Sequence, residues 1–187
     1  NMNKMSARLN LDQKATDKFS FGMQMNVIRS QMERVQNDNA FATPLQLVAQ
    51  SPLTPVYDPT TGELNTETIY YNGLISLRDE ENNQTSFRSL ANIYASYDLL
   101  RDLTFRSEFG TDIYDLREKN FWGRETITGG PAGEAQNRSV RVINYNWENY
   151  LTYNKTLGVH HLNLVGGMSF QQSNSIGSNI KGKGFPT

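Results

Sequence analysis

Residues 19–27 read Phe19-Ser20-Phe21-Gly22-Met23-Gln24-Met25-Asn26-Val27. Phe19, Phe21, Met23, Met25 and Val27 alternate without a break with Ser20, Gly22, Gln24 and Asn26. Period two is the periodicity of a β-strand, whose successive side chains point to opposite faces. The alternation predicts a strand over about 19–31, with one apolar and one polar face. A bilayer crossing needs about 9–11 tilted strand residues, so this run is long enough to span one. Strands of soluble proteins average about 5–6 residues.

The same pattern extends outward in both directions. Upstream, Ala7, Leu9 and Leu11 alternate with Arg8, Asn10 and Asp12, giving a strand at about 5–14 and a polar turn at Ala15-Thr16-Asp17-Lys18. Downstream, strands are expected at about 86–99, 103–121, 138–153 and 160–174. Leu103, Phe105, Phe109, Ile113 and Leu116 mark the fourth only loosely, with a slip of phase near Tyr114. Leu100-Arg101-Asp102 and Asn154–Val159 read as tight turns, whereas residues 32–85 and 123–137 read as long loops. The first loop holds a possible short helix near Pro44–Gln50 and the turn-rich Ser51-Pro52-Leu53-Thr54-Pro55-Val56-Tyr57-Asp58-Pro59. It closes on an acidic, amide-rich run, Asp79-Glu80-Glu81-Asn82-Asn83-Gln84. After about residue 174 a Ser/Asn/Gly-rich stretch runs to Phe185-Pro186-Thr187 without a further strand. Short turns at one end and long loops at the other are the pattern of an outer-membrane barrel. Phe19, Tyr97, Phe105 and Tyr153 lie beside the short turns, where an interfacial aromatic girdle would sit.

Composition agrees with an all-β chain wet on one face. Only 37% of residues are hydrophobic, yet Tyr and Phe each occur nine times, which argues against both disorder and a soluble helical domain. The net charge of −1 gives no field for nucleic acid, and the absence of cysteine removes disulfides and thiolate metal sites. No stretch approaches the roughly 20 apolar residues of a membrane helix, which leaves a strand-built membrane protein open.

At this level of detail the order of segments resembles the SusC/RagA family of TonB-linked outer-membrane proteins. The resemblance is carried by Ser6-Ala7-Arg8-Leu9-Asn10-Leu11-Asp12 with Lys18-Phe19-Ser20-Phe21-Gly22, and by Ser51–Asp58 with Gly62. It continues in Phe87–Tyr97, Leu103–Asp112, Asn149–Lys155 and His160–Gly167. Each segment is a short strand pattern; their order and spacing carry the specificity. The resemblance implies a large barrel plugged by an N-terminal domain, importing glycans or peptides across the cell outer membrane under TonB power. It also implies a SusD-like surface lipoprotein over the extracellular side. Residues 1–187 are accordingly expected to be an antiparallel transmembrane β-barrel segment of about six strands, without plug, signal peptide or closing strand. Six strands are fewer than the eight of the smallest closed barrels, and lipid does not tolerate open sheet edges.

No catalytic, cofactor or metal site is expected. His160 and His161 are adjacent on a strand and point to opposite faces, so they cannot share a metal. Asp79-Glu80-Glu81 lacks the spacing of a calcium loop and reads as a solvated charge run. Gly129-Gly130-Pro131-Ala132-Gly133 reads as a loop, since no short buried strand leads into it and no helix follows. Arg106, Glu108 and Asp112 share the polar face of the fourth strand and read as a lumen salt-bridge ladder. Tyr70, Tyr71, Phe121 and Trp122 are the candidate ligand-binding residues, as aromatics on the presumed extracellular side that could stack on sugar rings, pack loops or meet the lipoprotein.

The chain therefore reads as part of a non-enzymatic importer of oligosaccharides or similar nutrients. Its expected partners are the SusD-like lipoprotein, the TonB complex through an N-terminal region not in this sequence, glycan or peptide cargo, and outer-membrane lipid. The alternative reading is a β-sheet binding or adhesive module with no transport role. The phase of the strands predicts that Phe21, Met23, Ile93, Phe105, Tyr145 and Leu164 face lipid.

Overall fold

The computed structural model describes residues 1–34 and 45–185. The strands are β1 (Met2–Lys14), β2 (Phe19–Glu33), β3 (Glu80–Leu100), β4 (Leu103–Trp122), β5 (Glu134–Leu157) and β6 (His160–Lys183). They form one antiparallel sheet in chain order. Two short helices, α1 (Leu45–Ala49) and α2 (Gly73–Asp79), lie between β2 and β3, and a 3-10 turn (Gly130–Ala132) lies between β4 and β5. Tight turns join β1 to β2, β3 to β4 and β5 to β6 at one end, so both long connections lie at the other.

The register aligns the alternation of all the strands. Leu11, Met23, Ile93, Phe109, Trp147 and Phe170 form one continuous row across the sheet. Rows of the same face run from Leu103–Tyr153–Leu164 near the tight turns to Ala7–Val27–Ser89–Ile113–Ile143–Asn174. From Leu103 to Ile113 is about ten steps of roughly 3.3 Å, which a tilt of about 40° shortens to the roughly 25 Å of a barrel's lipid-facing band. Phe21, Met23, Ile93, Phe105, Tyr145 and Leu164 all belong to this face. The opposite face is concave and encloses a space of about 910 Å³ lined by Arg8, Asn10, Gln24, Asn92, Asp112 and Asn146 among others.

This distribution turns a soluble fold inside out. Ile93, Trp147 and Phe170 are 49%, 47% and 55% exposed, although they lie midway along their strands. Among the described residues the buried hydrophobic side chains are Ile75 and Trp122, both beyond the band at the long-loop end. No helix among the described residues is long and apolar enough to cross a membrane; the strands carry the apolar surface. Phe19, Tyr97 and Phe105 lie side by side in the row next to the tight turns.

Several sequence boundaries are corrected. The acidic run after Asp79 is the first part of β3 and not loop, because Glu80–Gln84 pairs residue for residue with Trp122–Glu118. β5 starts at Glu134, and the Ser/Asn/Gly-rich stretch after residue 174 continues β6 to Lys183. The final tight turn is confined to Gly158-Val159, with Gly158 at φ +63°. The slip near Tyr114 is absent, since β4 stays in register with both neighbours from Thr104 to Trp122. What changes there is polarity. Beyond Ile113 the outward face carries Asp115 and Arg117, while Tyr114 and Leu116 turn inward with Val142 and Val140. The strand has left the hydrocarbon, so Leu116 lies on the face opposite Ile113. The helix expected near Pro44–Gln50 is α1; Pro44 itself, and Pro186-Thr187 at the other end, fall outside the described residues. α2 escaped the sequence reading.

Candidate functional site

The concave face is built by the polar half of the alternation. One row across it reads Asn10, Gln24, Asn92, Gly110, Asn146 and Gln171, with an amide on every strand except β4. Gly110 leaves room for its neighbour: a Cβ there would lie 2.3 Å from Asn146 Oδ1. The next row toward the tight turns reads Asp12, Gly22, Tyr94, Glu108, Glu148 and Ser169. Tyr94 crosses Gly22 to donate its hydroxyl to Asp12 Oδ1 at 2.6 Å, linking β3 to β1. A Cβ at Gly22 would sit 2.5 Å from the Tyr94 ring and 2.8 Å from the Leu11 carbonyl. Arg106 stacks its guanidinium 3.8 Å from the centre of the Tyr94 ring and reaches Glu108 at 3.1 Å.

Arg88 grips Asp112 through two hydrogen bonds of 3.0 and 2.8 Å. Arg106, Glu108 and Asp112 thus share one face as the alternation predicts, and their partners come from β3 as well as β4. The wall offers neutral amides flanked by paired charges. It can hydrogen-bond a polar ligand or another polar surface. Among the described residues no group of three or more His, Cys, Asp or Glu side chains is placed to hold a metal ion.

The second feature is a small folded hub beyond the band at the long-loop end. Asn72 caps α2 by accepting from the Leu74 amide at 3.2 Å, and its side-chain NH2 donates to the carbonyls of Val56 and Asn65. Asp58 accepts from the amides of Thr60 and Thr61, which holds its carboxyl below the usual range and closes the turn at Gly62. Arg78 bridges Asp79, at 2.8 Å twice, and Glu125 of the next loop. That pairing depresses the Asp79 carboxyl. The Gly123 amide donates to the Asp79 carbonyl at 2.8 Å, and the Tyr71 hydroxyl to the Glu125 carbonyl at 2.8 Å. Burial, with the charges of Glu80 and Asp79 nearby, pushes the Tyr71 phenol upward. The β2–β3 and β4–β5 connections are therefore clasped together.

The four aromatic candidates fall in and around this hub. Tyr71 is part of the clasp. Tyr70 is half-buried, and its carbonyl accepts from Gln50 and Thr68. Trp122 is 7% exposed, under a loop that folds back over it so closely that a Cβ at Gly129 would meet the Trp122 carbonyl at 2.6 Å. Phe121 points to the opposite face and meets Phe185 edge-on at 6.1 Å. The four do not form one flat platform. Sequence reasoning missed Asn65, Asn72 and Thr126, which organise the hub while almost fully buried. Asn72 two residues before the largely apolar Leu74–Leu77 stretch was a readable capping signal; nothing local marked Asn65 or Thr126.

No family model matches the chain. Two proteins of Formosa agariphila are similar in sequence. TonB-dependent receptor P3 is 36% identical over 98 residues, covering 52% of this chain and 10% of that protein. TonB-dependent receptor P26 is 26% identical over 175 residues, covering 88% of this chain and 17% of that protein. The fold is similar to part of the RagAB peptide importer in its closed-closed state, with a TM-score of 0.76 at 17% identity over 98% of this chain and 22% of the other. The RagAB importer in its open-open state gives 0.71. The chain thus spans between a tenth and about a fifth of the length of these proteins. In sequence the chain is similar to TonB-dependent receptors, and in fold it is similar to part of the RagAB peptide importer.

Proposed function

We propose that residues 1–187 form wall strands and an extracellular rim of an outer-membrane importer of oligosaccharides or short peptides, working under a SusD-like lipoprotein and driven through TonB. The observation that carries this reading is the register: an apolar band of bilayer height on the convex face lies directly behind a polar concave wall. The similarity to TonB-dependent receptors and to the RagAB peptide importer supports it. The protein sits in the outer membrane, as its relatives do. In this account the concave amides line the path of the cargo or brace a plug, and the hub with Tyr70, Tyr71, Phe121 and Trp122 meets cargo or lipoprotein at the extracellular mouth. The wall takes no chemical step; it excludes lipid, hydrogen-bonds what passes and holds the loops in place.

The test is an in-frame deletion of the whole gene, followed by uptake of labelled oligosaccharides and of labelled peptide mixtures. Loss of uptake of one class, restored by the intact gene, supports import and names the cargo. Unchanged uptake of both classes, with no lipoprotein co-purifying with the intact protein, overturns it.

A further inference from the structure

The convex face carries a second feature, just outside the apolar band at the long-loop end. The row one step beyond Ile113 reads Met5, Arg29, Phe87, Asp115, Arg141 and Ile176. The next reads Asn3, Gln31, Thr85, Arg117, Ser139 and Ser178, and the one after places Lys119 between Asn83 and Asn137. Arg29, Arg117 and Lys119 are exposed, and with Asn3, Gln31 and Thr85 they line a shallow concavity of about 640 Å³. Arg29 and Lys119 make no ion pair with any described residue. Asp115 lies between Arg117 and Arg141 and reaches them at 3.2 and 2.8 Å. Glu33, the other carboxylate of these rows, lies at the outer edge of the concavity beside Asn83. Four cations therefore face two carboxylates.

Depth gives this patch its meaning. The step from Ile113 to Asp115 is about 6.6 Å along the strand, and the headgroup layer on each side of the hydrocarbon is roughly 5–8 Å thick. Arg29 and Arg141 thus stand at the level of lipid headgroups, on the surface that lipid touches, and Arg117 and Lys119 follow about 5 and 10 Å farther out, above that layer. Guanidinium groups suit phosphate oxygens through paired N–H donors, and the neighbouring amides and Thr85 hydroxyl can supply further hydrogen bonds. The rim by the tight turns differs: it presents the Phe19–Tyr97–Phe105 row, and its Lys14 and Lys155 are paired with Asp17 and Asp102.

We infer that Arg29, Arg117 and Lys119 form a binding site for the phosphate-bearing headgroup of an outer-leaflet lipid. The site fixes the height of the segment in the membrane and gives the wall a resident lipid on the extracellular side. It depends on membrane embedding alone, so it stands or falls independently of import.

The experiment uses the full-length protein purified in neutral detergent and titrated with diphosphorylated lipid A, with bound lipid counted by native mass spectrometry. Each basic residue near an anionic surface is worth about a fivefold change in affinity. The triple variant R29Q/R117Q/K119Q is expected to lose at least tenfold in lipid retention. The matched variant K14Q/K18Q/R101Q, at the opposite rim, is expected to retain the lipid as the unaltered protein does. Unchanged heat-dependent gel migration establishes that both variants fold. Dephosphorylated lipid should bind weakly, and inorganic phosphate should not displace the lipid. Equal retention by the triple variant, equal binding of the dephosphorylated lipid, or full displacement by inorganic phosphate would overturn the assignment. Should the triple variant fail to fold, the single variants R29Q and K119Q are read in the same way, each with its own fivefold loss.

Discussion

The two faces of this sheet are made by the same strands, yet they follow different rules. On the convex face the requirement is generic: Leu11, Met23, Ile93, Phe109, Trp147 and Phe170 share apolarity but no common shape. On the concave face the requirement is specific. Tyr94 needs the gap at Gly22 and the acceptor on Asp12, and Arg88 needs Asp112. Lipid accepts any apolar side chain, whereas a polar group facing a confined lumen wants its own partner. Substitution on the convex face should therefore be judged by polarity, and on the concave face by fit.

The largest contrast is expected between two adjacent positions of β2. Met23→Arg puts a charge in the middle of the convex band and should cost about 2–4 kcal/mol of barrel stability. Gln24→Arg, one residue on, points into the lumen and should leave folding close to that of the unaltered protein. Urea unfolding of the full-length protein in vesicles measures both, and equal losses would mean the faces are not distinct. Next in size is Gly22→Ala. Its Cβ meets the Tyr94 ring and the Leu11 carbonyl, and such overpacking costs about 1–3 kcal/mol. Tyr94→Phe in the same background should recover little, because the ring and not the hydroxyl makes the clash. Arg88→Gln should have a smaller effect, about 0–1 kcal/mol, since Arg88 is half exposed and the pair is solvated.

The smallest global effect is expected in the hub. Arg78 holds the Asp79 carboxyl below its usual range, so the clasp contributes at neutral pH and is lost only as the pH falls through that depressed value. Arg78→Gln should speed hydrogen exchange at the amide of Gly123, whose acceptor is the Asp79 carbonyl, while leaving β4 unchanged in the band. Equal protection of the Gly123 amide in the variant and the unaltered protein would show that the two loops do not depend on the clasp.

Much of the fold was legible because alternation survives wherever a strand separates lipid from water. Phe19–Val27 shows this best, and the face of every lipid-facing residue named from sequence follows from it. Legibility failed where the strands rise out of the membrane. There both faces meet water, so Glu80–Gln84 and Ser173–Lys183 lose the apolar half of the pattern while keeping the hydrogen-bonded ladder. The same transition inverts polarity at Tyr114 and Asp115, which imitates a slip of phase. α2 was hidden because its stability comes from a cap at Asn72 and the burial of Ile75, and a seven-residue helix carries little periodic signal. The ladder residues Arg106, Glu108 and Asp112 could be placed on one face, but their partnership with Tyr94, Asn92 and Arg88 depends on the β3–β4 register.

The convex face of these strands lies against lipid, and accessibility to lipid tests this directly. This chain has no cysteine, so single cysteines can be introduced along β4 of the full-length protein at positions 105 to 113 and labelled with a fluorophore in vesicles. A nitroxide on the lipid chains should quench labels at Phe105, Ser107, Phe109, Thr111 and Ile113. It should spare those at Arg106, Glu108, Gly110 and Asp112. Quenching that is uniform along the strand, or strongest at the even positions, would contradict the account.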